Sequence, residues 1–299
     1  MSEGQGRETG RIFEWAPAKV NLWLQVTGRR DDGYHFLESL VAFAGIGDSL
    51  ELERADRFSL HVRGPFADRL RAGDDNLVMR AALGLAKIFP NRIHPARMSL
   101  TKTLPVSSGL GGGSADAAAT LRGLCALSGF TADRERLFAL ARRLGADVPA
   151  CLAGHAALIS GIGDCLSPVD LPPNGVVLVN PGVKLSTREV FDRFDHAGGV
   201  ETADCRPACS GGNWRNINQL SQVLACRGND LERPARAVLP EIDRVLAVLD
   251  ACPGVLLARM SGSGATCFAL LSSLDEAHGA ARMIKADHPD WWVVATQLA

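Results

Sequence analysis

Between Leu104 and Ala119 the chain reads Leu-Pro-Val-Ser-Ser-Gly-Leu-Gly-Gly-Gly-Ser-Ala-Asp-Ala-Ala-Ala. Four glycines within positions 109–113 cost chain entropy unless the backbone must turn tightly or approach a ligand closely. The alanine-rich stretch from Ser114 to about Leu127 predicts a helix. A glycine loop that opens a helix presents unpaired N–H groups and the positive end of the helix dipole, which suits phosphate oxygens. It is not a P-loop, because no lysine follows the glycines, and the third glycine of a dinucleotide fingerprint is missing. A plain tight turn is the competing reading; Pro105, the flanking serines and the immediate helix argue against it.

Two further places could do chemistry. The chain has only five lysines among 32 basic residues, and Lys19 stands at the entry of a strand while Asp147 follows the helix-ending Gly145. Side chains at element ends can project into a shared cleft. Tyr34 is the single tyrosine and sits beside His35 after Gly28-Arg29-Arg30-Asp31-Asp32-Gly33. An aromatic next to an imidazole offers a flat surface for a nucleobase and polar groups for its edge. His35 lacks a second ligand at metal-site spacing.

Several elements must position these groups. Val20, Leu22, Leu24 and Val26 alternate as in a strand, and short strands are expected at Ser49–Glu53, Phe58–Val62 and Arg97–Thr101. Asn76 precedes Val78, Ala81, Ala82, Leu85 and Ile88, helical spacing with a plausible N-cap. A second helix, from about Thr131, carries Leu137, Leu140, Ala141 and Leu144 on one face. In the later half, strands are expected at Val176–Val179, Val255–Ala258, Thr266–Leu271 and Trp292–Thr296. Helices are expected from Pro240-Glu241 and over Asp275–Ala286. This alternation reads as α+β with a split βαβ arrangement. Gly198–Asn213, rich in Gly, Cys and Pro, reads as a surface excursion.

Composition narrows the function classes. Of 299 residues 46% are hydrophobic and 22% charged, as in a soluble globular protein, and the net charge of −1 provides no global attraction for nucleic acid. Met1–Gly10 has no apolar signal core, no segment reaches a membrane span, and the eight cysteines form no Cys-x-x-Cys. A soluble cytoplasmic protein is expected, with neither nucleic acid nor membrane as partner.

Three segments, in order, resemble the motifs of the GHMP kinase superfamily. They are Ala16-Pro17-Ala18-Lys19-Val20-Asn21-Leu22, the Pro-x-x-x-Gly-Leu-Gly of 105–111, and Met260-Ser261-Gly262-Ser263-Gly264-Ala265. With the 28–35 segment, Gly111-Gly112-Gly113-Ser114 and Leu144-Gly145-Ala146-Asp147-Val148-Pro149, the set is similar to one branch of that superfamily. That branch phosphorylates the 2-hydroxyl of 4-diphosphocytidyl-2-C-methyl-D-erythritol in the non-mevalonate route to isoprenoid precursors. The resemblance runs from residue 16 to about residue 268.

The resemblance implies a two-domain α+β GHMP kinase fold. A ribosomal-protein-S5-like ATP-binding domain would span 1–163 and a ferredoxin-like split βαβ domain 164–299. It implies Lys19 and Asp147 as the catalytic pair, with Asp147 as general base. For ATP it implies Asn76, Lys102, Pro105, Val106, Ser107, Ser108, Gly109, Leu110, Gly111, Gly112, Gly113, Ser114 and Ala115. For the acceptor it implies Asn21, Tyr34, His35, Thr187 and Phe191. Asn76 has a competing role as helix cap, Lys102 as an edge-strand lysine, and Phe191 as a core aromatic. The sequence departs from the pattern at Ser107-Ser108, where many members have Gly or Ala, and at Ala115, which replaces a frequent serine. With no evident carboxylate ligand, Mg²⁺ is expected to arrive with ATP. Mevalonate-, homoserine- or galactose-type kinases, and a ligand sensor without activity, are the rival readings.

Overall fold

The computed structural model describes residues 10–31, 33–70, 73, 75–163, 165–199 and 214–299. Two strands dominate the first half, β1 (Arg11–Arg29) and β2 (His35–Arg54), paired antiparallel along their whole length. The expected strand at Ser49–Glu53 is only the end of β2. Residues 40–44 are apolar throughout and buried, so no alternation marks them as strand. Next come β3 (Ser59–Arg63), α1 (Leu77–Ile88), β4 (Ala96–Thr101), α2 (Gly112–Leu127), α3 (Arg134–Leu144), α4 (Val148–Ala153), β5 (Ala157–Ser160) and β6 (Cys165–Pro168). Among the described residues, β3-β4-β2-β5-β6 form a sheet in that order, with β1 on β2. The β5–β6 hairpin carries this sheet to Pro168, past the division expected after residue 163.

The second half contains β7 (Gly175–Asn180), α5 (Thr187–His196), α6 (Ile217–Ala225), α7 (Glu232–Val238), α8 (Glu241–Asp250), β8 (Leu257–Met260), β9 (Cys267–Leu271), α9 (Leu274–Asp287) and β10 (Trp292–Thr296). The antiparallel order β10-β7-β9-β8, with helices inserted before β8 and between β9 and β10, is the split βαβ arrangement expected. β8 begins two residues later than Val255, because Cys252 to Leu256 form the turn leaving α8. Of the expected excursion at Gly198–Asn213, residues 200–213 lie outside the described residues.

Packing follows from the helix faces. Val78, Ala81, Ala82 and Leu85 of α1 and Ala117, Ala118, Leu121 and Leu124 of α2 are fully buried against Leu50 and Leu52 of β2. Another cluster joins the two sheets: Val20 and Leu22 of β1, Leu40 of β2, Val176 and Leu178 of β7 and Phe268 of β9 are all completely buried. The halves therefore share a core, and the cleft between them is held by packed strands.

Candidate active site

Lys19 and Asn21 lie two residues apart on β1, so their side chains leave the same face of the strand, while Ala18, Val20 and Leu22 enter the core opposite. Register shifts on either side, between Pro17 and Lys19 and between Asn21 and Trp23, set this stretch apart from the regular ladder. Lys19 Nζ donates to Asn21 Oδ1 at 2.9 Å and to Asp147 Oδ1 at 2.7 Å. The ammonium stem is 4% exposed and the carboxylate 43%, so the pair joins a buried cation to an accessible anion. Asp147 occupies the N-cap position of α4 yet makes no capping bond; its carboxylate faces Lys19 instead.

The glycine loop wraps against this pair. Leu110 O accepts from Lys19 N at 2.8 Å, and Gly111, at φ +61°, is the uncapped start of α2. A Cβ on Gly111 would stand 3.1 Å from Lys19 Cε, so the glycine lets the lysine stem lie against the loop. Gly109, at φ +76°, packs its Cα on the Ser261 carbonyl. Ser261 Oγ donates to Gly109 O at 3.0 Å and accepts from Asn21 N at 3.1 Å. One hydroxyl therefore holds all three glycine- or lysine-bearing segments together.

Below the loop lies a group that sequence reasoning missed. Lys102 Nζ donates to Asp48 Oδ2 at 2.5 Å and to Asp116 Oδ2 at 2.7 Å, with all three residues buried. Asp48 Oδ1 also accepts from Thr103 N at 2.6 Å and Leu104 N at 2.9 Å, which pins the loop's entry. Lys102 lines the cleft as expected, but its ammonium is bonded to the two carboxylates beneath the loop. Asp116 Oδ1 is buried and has no hydrogen-bond partner. Burial pushes the Asp116 carboxyl up to about 7, opposed by Lys102 and reinforced by Asp48. Unfolded, that group releases its proton near its ordinary value of 3.8. The native state holds the extra proton between those values, so stability from this site is greatest at the acid side and falls as pH rises through the window. In the ligand-free, metal-free protein, Asp116→Asn should flatten this slope. Urea midpoints at about pH 5 and about pH 8 check it, and an unchanged difference would refute the assignment.

A cleft of about 1350 Å³ brings the expected residues together. Its wall includes Lys19, Asn21, Tyr34, His35, Asn76, Lys102, Pro105, Val106, Ser107, Ser108, Gly109, Gly111, Gly112, Gly113, Ser114, Asp147, Thr187 and Phe191. Leu110 and Ala115 are at most 1% exposed and their side chains point into the apolar core rather than into the cleft, because neighbouring side chains in a loop and helix leave in different directions. Asn76 Oδ1 accepts from Val78 N at 3.0 Å, so it does cap α1. Thr187 Oγ1 lies 2.8 Å from Ser263 Oγ, linking α5 to the third glycine segment.

The Tyr34–His35 pair differs from expectation in detail. The imidazole stacks on Phe191, centroids 4.8 Å apart at 26°, and Phe194 meets it edge-on at 6.1 Å. The His35 face is thereby occupied, which leaves its edge for a ligand and Tyr34, 62% exposed, as an aromatic at the rim. Phe191 is thus both packed and cleft-lining.

A pocket for one drug-sized ligand holds roughly 300–1,000 Å³; this cleft exceeds that, and Lys19 and Asp147 are both in its wall. Among the described residues no helix is long and apolar enough to cross a membrane. Residues 76–155 match the model for GHMP kinases N terminal domain and 205–290 that for GHMP kinases C terminal. A 4-diphosphocytidyl-2-C-methyl-D-erythritol kinase of Paramagnetospirillum magneticum is 48% identical over 284 residues, covering 95% of this chain and 97% of its own length. A crystal structure of 4-(cytidine 5'-diphospho)-2C-methyl-D-erythritol kinase superposes with TM-score 0.73 at 35% identity, covering 96% of this chain and 99% of the other. Homoserine kinase from Cytophaga hutchinsonii superposes with TM-score 0.72 at 17% identity, over 99% of this chain and 97% of the other, and shares the fold. With both its halves matched and its near-complete length aligned, the chain belongs to the 4-diphosphocytidyl-2-C-methyl-D-erythritol kinases of the GHMP kinase family.

Proposed function

We propose that this protein transfers the γ-phosphoryl group of ATP to the 2-hydroxyl of 4-diphosphocytidyl-2-C-methyl-D-erythritol, giving the 2-phosphate and ADP. The Lys19–Asp147 contact at 2.7 Å, set between the glycine-helix cradle and the His35–Phe191 wall, carries this reading. Asp147 takes the acceptor's proton as its oxygen bonds to phosphorus and the bond from phosphorus to the ADP oxygen breaks. Lys19 orients that carboxylate and neutralises charge as it builds on the transferring group. The N–H groups at the start of α2 lie against the phosphates. Asn21, braced by Ser39 Oγ at 2.8 Å, holds the Lys19 ammonium in place.

A divalent metal, Mg²⁺ in this reading, would neutralise the ATP phosphates. The residues fit such an ion: Asp116 Oδ1 lacks a partner, and Asp116 and Ser114, near the start of α2, both line the cleft. Such an ion would reach the site with the nucleotide's phosphates. We place the enzyme in the cytoplasm, where ATP is supplied.

The test is ADP release with Mg·ATP and a panel of the cytidyl acceptor, free methylerythritol phosphate, mevalonate, homoserine and galactose. Turnover of the cytidyl acceptor alone supports the proposal; turnover of another member alone overturns the acceptor. His35→Ala should raise KM for the cytidyl acceptor by about 10- to 100-fold with kcat far less affected. Initial-rate kinetics check this, and an unchanged KM would remove His35 from base recognition.

A further inference from the structure

Asp195 follows Phe191 by one turn of α5, and no motif gives it a role. Its Oδ1 lies 2.8 Å from His35 Nε2, and its Oδ2 lies 3.2 Å from the Arg29 guanidinium. Arg29, His35 and Asp195 all line the cleft. An ionised carboxylate can only accept hydrogen bonds, so the proton of a neutral imidazole facing it must sit on Nε2. The ring cannot readily turn over: its side chain is 8% exposed, stacked on Phe191 and flanked by Phe194. His35 Nδ1 makes no hydrogen bond among the described residues. The unoccupied nitrogen is consequently a fixed lone-pair acceptor.

That polarity discriminates between pyrimidines. Cytosine carries an amine donor at the position where uracil-type bases carry a carbonyl acceptor. We propose that Asp195 is a positioning and specificity residue: by fixing His35 as the Nε2–H tautomer, it makes Nδ1 an acceptor for the cytosine amine. This rests on the cytidyl-acceptor reading above. A uridyl analogue would set its carbonyl oxygen against the Nδ1 lone pair, and a site built to accept a hydrogen bond rejects a ligand that cannot donate one. Arg29, bonded to the other carboxylate oxygen, keeps Asp195 turned toward the ring.

Asp195→Asn tests this, because an amide of nearly the same size can donate to Nε2 and let the proton move to Nδ1. The expected result is a rise in KM for the cytidyl acceptor of about 10- to 100-fold, with kcat within about threefold and KM for ATP unchanged. The cytidyl-to-uridyl ratio of kcat/KM should fall about tenfold or more, and Asp195→Glu, which keeps an acceptor, should restore much of it. Nitrogen-15 spectra of His35 should show the proton on Nε2 in the unaltered protein and a mixture in Asp195→Asn. An unchanged ratio, or an equal loss with every substrate, overturns the proposal. So does a wild-type ring protonated on Nδ1 while neutral. Failure of the unaltered protein to turn over the cytidyl acceptor refutes the acceptor assignment itself, a result distinct from a failure confined to the Asp195 variants.

Discussion

Asp147→Asn should leave ATP and the acceptor bound and lower kcat by about 10²- to 10⁴-fold. The amide oxygen can still accept from Lys19 Nζ, so the 2.7 Å contact has a geometric substitute and the cleft wall stays in place. What disappears is the carboxylate proposed to take the acceptor's proton. Isothermal binding of both ligands, together with single-turnover rates, separates the two effects. A loss in kcat below tenfold would remove Asp147 from the base role. The size of the effect follows from the site's asymmetry: the buried Lys19 cannot accept a proton while charged, and Asn21 has no basic group to replace the carboxylate.

The second large effect concerns stability. Lys102→Met would strip the one cation from between Asp48 and Asp116, both at most 3% exposed in their side chains. Removing one member of a buried ionic group costs about 3–5 kcal/mol, mostly from the charge left unpaired. Because Asp48 also holds the Thr103 and Leu104 N–H groups, KM for ATP should rise with the loss of stability. Urea unfolding measures the first and initial rates the second. A variant with an unaltered unfolding midpoint and a weaker ATP interaction would instead show Lys102 to be a direct nucleotide contact. Adding Asp116→Leu to Lys102→Met should recover part of the stability, since it removes one of the two orphaned carboxylates.

Local signals in the sequence reached far into this fold. The glycine run ended in α2, Asn76 capped α1, and the apolar spacing after Pro240 produced α8. Lys19 and Asp147 meet across 128 residues, Asp147 at the start of α4 as its neighbours suggested. Lys19, however, lies in the middle of β1 beside a register shift and not at the entry of a strand as expected, because β1 begins already at Arg11. The extent of β2 was not legible, since a strand buried on both faces has no alternation to read. Neither was the Asp48–Lys102–Asp116 group: its members are 54 and 14 residues apart, and none lies at a recognisable spacing from the others. The same holds for Asp195, which meets His35 across 160 residues. A signal was available in retrospect, because Thr187, Phe191 and Asp195 recur at intervals of four and share one helix face. Leu110 and Ala115 show a different limit. A motif is a string, whereas side chains in it leave the backbone in different directions, so two of its members send their side chains into the core.

The Ser261 hydroxyl, which joins Asn21 to Gly109, lies 240 residues from the first and 152 from the second. A chain growing from its N-terminus has long since made β1, the glycine loop and α2 before residue 261 exists. The loop's support is therefore supplied last, by the hairpin of β8 and β9. Nucleotide binding should thus arise late in synthesis, at nearly full length, and a chain interrupted before β8 would have the Lys19–Asp147 contact without the brace behind it.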